Sequence, residues 1–221
     1  DNGLRIDNII DKLINMYPNL CACANDIKEA CRIIIDSYKN NDKLLIAGNG
    51  GSAADALHIT GELMKSFELP RKLSLAEKNM FKNSDCIDSK SCQYLCDNLQ
   101  RALPTISLVS ECALTTACAN DNAADLVLAQ EVFGLGRQGD ALLAISTSGN
   151  SKNIIYAAQT AKAKGLKVIG LTGSTGGKLM KYCDVCICAP ANKTYMIQEY
   201  HLPIYHAMCM VLEYEFFGDL I

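Results

Sequence analysis

A short apolar run that ends in a glycine turn and continues as a helix constrains the fold of this chain most. The run Leu44–Ala47 has the length and composition of a buried strand. Residues 48–51 break it, and residues 52–67 have the composition of a helix, with Ser52 placed to cap its first amides. Such a junction directs free N–H groups and the positive end of the helix dipole at one point. It predicts an anion site.

Further apolar runs alternate with segments of helical spacing along the chain. Strands are predicted at 105–109, 140–145, 167–171 and 184–188. Helices are predicted at 111–119, 126–133, 153–164 and 194–215. This alternation predicts an α/β fold with a parallel sheet covered by helices on both faces. Ligands bind such folds beyond the carboxyl ends of the strands.

Two regions lie outside this alternation within the single domain predicted for residues 1–221. Residues 1–40 carry two amphipathic helices, which is more than the core of the sheet needs, so we expect a surplus apolar face to pack against another subunit. Residues 68–103 are polar and carry charges of both signs, with short helices predicted at 73–81 and 91–103. They predict an insertion that folds onto the surface.

The composition excludes several classes of protein. The chain has 221 residues, of which 49% are hydrophobic, and a net charge of −3, so neither nucleic acid nor an anionic membrane is an expected partner. No apolar run approaches the ~18 residues of a membrane span, and the start lacks a signal-peptide pattern, so a cytoplasmic protein is expected. The twelve cysteines are then expected to be reduced and mostly buried.

The strand–polar turn–helix pattern occurs a second time after residues 140–145, where Ser146, Thr147, Ser148 and Ser151 follow the strand. Hydroxyl groups and free amides at a helix start can hold a phosphate without any arginine. Serine and glycine also serve simply to cap helices and fill turns. Two such loops at equivalent places in one sheet favour anion binding.

Two nucleotide-binding motifs are incomplete, so no nucleotide cofactor is expected. The turn at residues 48–51 lacks the third glycine of the dinucleotide fingerprint at its required place, and no acidic residue ends a following strand. The segment at residues 172–179 resembles a P-loop, but Thr172 stands where a glycine is due and Leu179 replaces the serine or threonine.

Histidine and carboxylate residues give the chain its candidate chemistry. His58 and Glu62 lie four residues apart, so both project from one helix face. His201 and His206 stand near Gln198 in the last helix. The His–Glu pair and a Gln–His pair could ligate zinc or transfer protons, although a lone histidine on an apolar helix is more often structural. Spacing leaves open which late histidine faces inward, since His206 lies about 80° from Gln198 around the helix.

The motifs, taken in order, resemble those of SIS-domain sugar isomerases, and most closely the phosphoheptose isomerases. The matching segments are GNGGSAADALH with an acid four residues on, AND at 119–121, GDALLAISTSGNS, IGLTGSTGGK and IQEYH. They span most of the chain except residues 68–103. The resemblance implies a three-layer α/β sandwich with a five-stranded parallel sheet, flavodoxin-like or Rossmann-like. It also implies a homotetramer with active sites between subunits.

The resemblance also implies a role for individual residues. Glu62 matches the catalytic base of the family, and His206 matches its catalytic histidine. Zinc ligands of some members match His58, Glu62, Gln198 and His206. The residues that match the phosphate-binding positions are Ser52, Ser146, Thr147, Ser148 and Ser151. Other substrate contacts are expected at Asn49, Gly50, Gly51, Asp121 and Gln198.

The activity implied is an aldose–ketose isomerisation that converts sedoheptulose 7-phosphate to glycero-manno-heptose 7-phosphate through a cis-enediol. The chain departs from the family at Ser66, where many members have arginine, at Tyr195, where some have aspartate, and in the long segment 68–103. The alternatives are an isomerase of a different phosphosugar, a sugar-phosphate sensor, and a replication-initiator adaptor protein. That adaptor has asparagine in place of His206 and lacks the His–Glu pair, so this chain favours an enzyme.

Overall fold

A five-stranded parallel sheet forms the centre of the protein. The computed structural model describes residues 2–218, with side chains from residue 6. The strands are β1 (Leu44–Ala47), β2 (Thr105–Ser107), β3 (Ala141–Ile145), β4 (Lys167–Thr172) and β5 (Val185–Cys188). They pair in the order β2-β1-β3-β4-β5, and every pairing is parallel. The predicted α/β fold is confirmed, and residue 1 and residues 219–221 of the predicted domain lie outside the described residues.

Helices cover both faces of the sheet. They are α1 (Asn2–Met16), α2 (Ala24–Lys39), α3 (Gly51–Met64), α4 (Leu75–Lys82), α5 (Ser89–Asn98), α6 (Cys112–Cys118), α7 (Val127–Leu135), α8 (Lys152–Ala163) and α9 (Thr194–Phe217). Leu44 and Ile46 of β1 point into a core with α1, α2, α3 and α9, whereas Leu45 and Ala47 point into a second core with α7 and α8. Among residues 2–218, no helix combines the length and apolarity needed to cross a membrane.

Both N-terminal helices belong to the main core, and their predicted contact with another subunit stays a prediction. Helix α2 packs against β5 and α9, and α1 packs against α9 and α2. Ile10 and Ile27 are buried in the same cluster as Leu44 of the sheet. The exposed apolar surface near α1 includes Met16 at its end and Tyr17 directly after it.

The segment between α3 and β2 forms a helical hairpin on the surface. Helices α4 and α5 pack against each other, and Cys96 is the buried residue among them. Helix α5 ends at Asn98, five residues before the predicted end at 103, because Leu99 adopts an extended conformation and Gln100 forms an antiparallel bridge with Lys72. This bridge closes the hairpin at its base and returns the chain to β2.

All twelve cysteines are free, as expected for reduced thiols. The expectation that most are buried is only partly right. Five are buried, four are intermediate, and Cys21, Cys86 and Cys112 are exposed.

Candidate active site

Two polar loops lie at the carboxyl ends of the neighbouring strands β1 and β3. The first polar loop, residues 48–50, leads from β1 into α3, and the second polar loop, residues 146–151, leads from β3 into α8. Helix α3 covers one face of the sheet and α8 the other, so the β1–β3 boundary is the topological switch point. Doubly wound sheets of this strand order bind ligands at that point.

The first polar loop presents the start of α3 without a side-chain cap. Gly50 is the N-cap residue, and no side chain accepts a hydrogen bond from the first turn. The expectation that Ser52 caps this helix is therefore wrong, since Ser52 is its second residue and is buried. The first amides of α3 are left without a side-chain cap, which favours an anion at this helix start.

The second polar loop is shaped by its backbone. Gly149 has a φ of +64°, and a Cβ at this position would overlap the carbonyl of Gly176 in the loop after β4. Ser146 Oγ donates to Ser151 Oγ at 3.3 Å, so two of the predicted phosphate ligands already lie side by side. Ser151 precedes α8 without capping it. A cavity of about 240 Å³ lies beside this loop, lined in part by Thr147 and Ser148.

Asn49 and Asn153 tie the two polar loops together. Asn49 Nδ2 donates to Asn153 Oδ1 at 2.9 Å, and Asn153 Nδ2 donates back to Asn49 Oδ1 at 2.8 Å. The backbone N–H of Ile154 donates to the same Asn153 oxygen at 3.0 Å. The sequence predicted a substrate contact for Asn49, and in the structure its amide fixes the spacing between the loops.

The histidine face is formed by His58 and Glu62 on α3 and by Tyr205 and His206 on α9. His58 Nε2 lies 3.2 Å from Glu62 Oε1. The ring centroids of His58 and His206 are 5.1 Å apart with an interplanar angle of 82°, and Tyr205 lies 5.0 Å from His206. The structure thus brings together three residues that the sequence predicted for catalysis or metal binding, although they come from opposite ends of the chain.

The environment of the histidine face favours a neutral imidazole. Burial lowers the pKa of His206, the charge of His58 lowers it further, and Glu62 opposes this. The Phe67 ring lies 5.6 Å from His206 and shields it. The side chains of His58 and Glu62 are 41% and 18% exposed, so the face stays open to a small ligand on one side.

A buried ion pair joins the two helices that carry this face. Arg71 Nε donates to Glu213 Oε1 at 2.7 Å, and both side chains are fully buried. Arg71 also donates to the carbonyls of Glu62 and Leu63 at the end of α3, and Glu213 accepts the backbone N–H groups of residues 67–69. The pair therefore supplies hydrogen bonds to free carbonyl groups in the last turn of α3 and holds this turn against α9.

Residue spacing left open whether His201 or His206 faces inward. In the structure the two side chains have different surroundings. His201 is fully buried, and its Nε2 donates to the carbonyl of Thr172 at 3.0 Å. Burial lowers the pKa of His201 to about 4, so its ring is neutral. His201 therefore fastens α9 to the end of β4, and His206 is the one that faces His58.

Two other candidates lie away from the histidine face. The Gln198 amide lies over Gly51, where an added Cβ would overlap it, so this residue stands at the start of α3 beside the first polar loop. Asp121 is exposed in the turn after α6, where its carboxylate accepts a hydrogen bond from Asn120 at 2.8 Å. Neither has a described hydrogen bond to the residues of the histidine face.

Comparison with proteins of known family shows to which family this chain belongs. A family model of the SIS domain matches residues 111–213. A phosphoheptose isomerase of Aneurinibacillus thermoaerophilus is 36% identical over 193 residues, which cover 87% of this chain and 83% of that protein. The chain belongs to the phosphoheptose isomerase family.

Two further matches cover nearly whole chains. A phosphoheptose isomerase of Leptospira biflexa is 37% identical over 214 residues, covering 97% of this chain and 94% of that protein. The solved structure of a phosphoheptose isomerase from Francisella tularensis superposes with a TM-score of 0.72 at 28% identity, covering 96% of this chain and 98% of that one. The similarity therefore includes the N-terminal helices and both polar loops.

The zinc ligands that the sequence resemblance implies are only partly assembled in this structure. Two ligands of a tetrahedral zinc, with bonds of ~2.0–2.1 Å, lie roughly 3.3 Å apart. His58 Nε2 and Glu62 Oε1, at 3.2 Å, fit that spacing. Across residues 2–218, however, no three His, Cys, Asp or Glu side chains are grouped to hold a metal ion. The His58–Glu62 pair fits the spacing of zinc ligands, and Gln198 lies against Gly51 at the start of the same helix.

Sequence reasoning missed several residues that shape this phosphoheptose isomerase site. Asp55 stands three residues before His58, so its place on the same helix face could have been read from spacing. Tyr205 precedes His206 but belongs to no motif. Asn153 looked like an ordinary helix-start residue. Arg71 fell in a segment that was assigned to the surface, and no local pattern marks its buried partner.

Proposed function

We propose that the protein interconverts the ketose and aldose forms of a phosphorylated heptose, sedoheptulose 7-phosphate and glycero-manno-heptose 7-phosphate. The observation that carries this proposal is the histidine face, in which the His206 ring of α9 lies 5.1 Å from the ring of His58, which lies beside Glu62 on α3. The uncapped start of α3 adjoins the first polar loop. Membership of the phosphoheptose isomerase family favours this activity over a sugar-phosphate sensor or a replication adaptor.

The two parts of the site match the two ends of such a substrate. The polar loops would bind the phosphate through uncapped amides and the hydroxyls of Ser146, Thr147, Ser148 and Ser151. From Gly51 to His58, α3 rises about 10 Å, a length that an extended seven-carbon sugar phosphate can span. Binding energy from the remote phosphate would then place C1 and C2 at the histidine face.

The chemistry needs a base for a carbon-bound proton and a partner for the oxygens. Glu62 would take the proton from C1 of the ketose, giving a cis-enediol, and would return it to C2. His206, neutral near pH 7, would donate a hydrogen bond to the carbonyl oxygen and move the proton between O1 and O2. Phe67 limits the access of water to His206 while the enediol persists.

We further propose that the site binds one zinc ion, which the His58–Glu62 pair would hold first and which His206 and Gln198 would have to approach to become its third and fourth ligands. Bound zinc would act as a Lewis acid toward the carbonyl and hydroxyl oxygens of the sugar. The spacing of the His58–Glu62 pair and the family resemblance support this proposal. Equilibrium dialysis of the metal-stripped protein against zinc tests it.

We also propose a homotetramer in which a neighbouring subunit completes each active site. A mostly apolar cavity of about 590 Å³ lies between α1 and α9, and its lining includes Ile9, Met16, Met210 and His206. A second copy placed there would cover exposed apolar surface and reach the histidine face. Light scattering after size exclusion would show a mass of four chains, and a monomer at micromolar concentration would contradict the proposal.

We propose a cytoplasmic location, which the free cysteines support. Cell fractionation with thiol labelling tests it, and recovery outside the cytoplasm or with oxidised thiols would contradict it.

The decisive experiment for the activity is turnover of sedoheptulose 7-phosphate, followed by chromatographic detection of the aldose. Unphosphorylated sedoheptulose and shorter ketose phosphates serve as matched controls. The proposal predicts the highest kcat/KM for the seven-carbon phosphate and little turnover of the free sugar. A higher value for a different phosphosugar would replace the substrate, and tight binding without any turnover would favour a sensor.

A further inference from the structure

We propose that Tyr205, held by Asp55, is a positioning residue that keeps a proton on His58 Nδ1 and turns Nε2 of the ring toward Glu62. This inference rests on the proposed function, because it concerns the same histidine face. It adds two residues that neither the sequence motifs nor the family resemblance assigned to the site.

The hydroxyl of Tyr205 lies between two groups of α3. It donates to Asp55 Oδ1 at 3.2 Å, and it lies 3.0 Å from His58 Nδ1. Tyr205 itself is 2% exposed, and its ring stands edge-on to the rings of His58 and His206. The phenol is therefore fixed by packing on α9, and its hydroxyl cannot turn to water as an alternative partner.

A count of hydrogens determines the direction of each bond. A phenol has one hydrogen, and an ionised carboxylate can only accept, so the Tyr205 hydrogen lies toward Asp55. The phenol oxygen then offers His58 only a lone pair. His58 Nδ1 must carry a hydrogen in order to bond with it, and Nε2 is then the ring nitrogen that faces Glu62.

The consequence appears on the other side of the ring. His58 Nε2 and the Glu62 carboxylate face each other at 3.2 Å. A metal ion that takes the place of any hydrogen between these two atoms can bind both, because their spacing is that of neighbouring ligands on zinc. The Asp55–Tyr205 pair thus prepares His58 and Glu62 as a donor pair for a divalent metal, as outer hydrogen bonds do for metal-binding histidines.

The wild-type protein allows a test that needs neither turnover nor a variant. Two-bond ¹H–¹⁵N correlation spectra distinguish a protonated from an unprotonated ring nitrogen. In the metal-stripped protein we expect the His58 signals of a ring with hydrogen on Nδ1. A ring with hydrogen on Nε2 only would overturn the proposal.

The variant test uses Tyr205→Phe, with Tyr214→Phe on the same helix as its matched control. We expect Tyr205→Phe to weaken zinc binding about 10–100-fold in competition with a chelator and to give His58 a mixture of tautomers. Tyr214→Phe should leave both unchanged, and thermal unfolding checks that each variant is folded. Wild-type zinc affinity in folded Tyr205→Phe would refute the inference.

These readouts separate this inference from the proposed function. If the wild-type protein isomerises the sugar but Tyr205→Phe binds zinc normally, the function stands and the positioning role fails. If the protein has no isomerase activity but the tautomer and zinc affinity respond as expected, the positioning role stands and the function fails.

Discussion

The histidine face and the polar loops are built by different means. The face depends on individual side-chain atoms from two helices, with His58 and Tyr205 lying 147 positions apart in the sequence. The loops depend mainly on backbone conformation, as at Gly149, and on a sheet that places β1 beside β3. A change of one atom should therefore stop chemistry at the face, whereas the loops should respond most to changes of the backbone.

The largest effect is expected at the face itself, from Glu62→Gln. The amide keeps the shape of the side chain but cannot act as a base, so kcat should fall about 10²–10⁴-fold while KM changes little. Steady-state kinetics on the heptose phosphate measures both. Glu199→Gln, exposed on α9, is the control and should match the wild type. A Glu62→Gln variant within threefold of wild-type kcat would remove Glu62 from its proposed role.

Loss of the buried Arg71–Glu213 ion pair beneath the histidine face should lower the stability of the protein more than the other substitutions do. Glu213→Gln leaves the Arg71 guanidinium buried without a counter-charge, so the free energy of unfolding should fall by about 3–5 kcal/mol. Urea denaturation measures this. Glu29→Gln, which breaks an exposed pair with Arg32, should cost less than about 1 kcal/mol. Equal losses in the two variants would mean that the buried pair does not hold α3 to α9.

Glu131 offers a contrasting buried carboxylate, outside both regions. It is 2% exposed and neither oxygen has a hydrogen-bond partner, whereas Glu213 is fully bonded. Burial, with a smaller effect of Glu111, raises the pKa of Glu131 to about 7. Between the unfolded value of about 4.3 and about 7, the folded state binds more protons, so the free energy of unfolding should fall as pH rises, by on the order of 3 kcal/mol.

Glu131→Gln should remove this part of the pH dependence and stabilise the protein at pH 8. Thermal unfolding at pH 5 and pH 8 measures the difference, and the exposed Glu199→Gln again serves as the control. A Glu131→Gln variant whose stability falls with pH as steeply as the wild type would show that this carboxyl does not titrate as described.

The smallest effect is expected in the loops, from Gly149→Ala. The left-handed conformation at φ +64° should by itself cost a side chain about 1–2 kcal/mol, and the overlap of the added Cβ with the Gly176 carbonyl should also displace the second polar loop. We expect KM to rise and kcat to change little, because the face is untouched. Gly134→Ala in α7, where the added Cβ meets open space, should be neutral or slightly stabilising. A fall in kcat without a change in KM would contradict the division between loops and face.

The sequence predicted most of the fold because the relevant signals are local. Apolar runs located the strands, and polar turns located both loops. Residue spacing could not distinguish His201 from His206, since that choice depends on how α9 lies against β4 and α3, whereas the family resemblance selected His206. Nor could residue spacing show that α1 and α2 belong to the main core, because the depth of a core does not appear in helical periodicity. Arg71 and Glu213 are 142 positions apart, so no local pattern could pair them.

The central claim is that Glu62 moves a proton between two carbons of a phosphorylated heptose, and solvent labelling tests it most directly. The protein should be incubated with sedoheptulose 7-phosphate in deuterated water and the aldose analysed for label at C2. The Glu62 side chain is 18% exposed, so its proton should exchange during some turnovers and a fraction of the product should carry deuterium. Full conversion with no deuterium in product or remaining substrate would contradict proton transfer through this carboxylate.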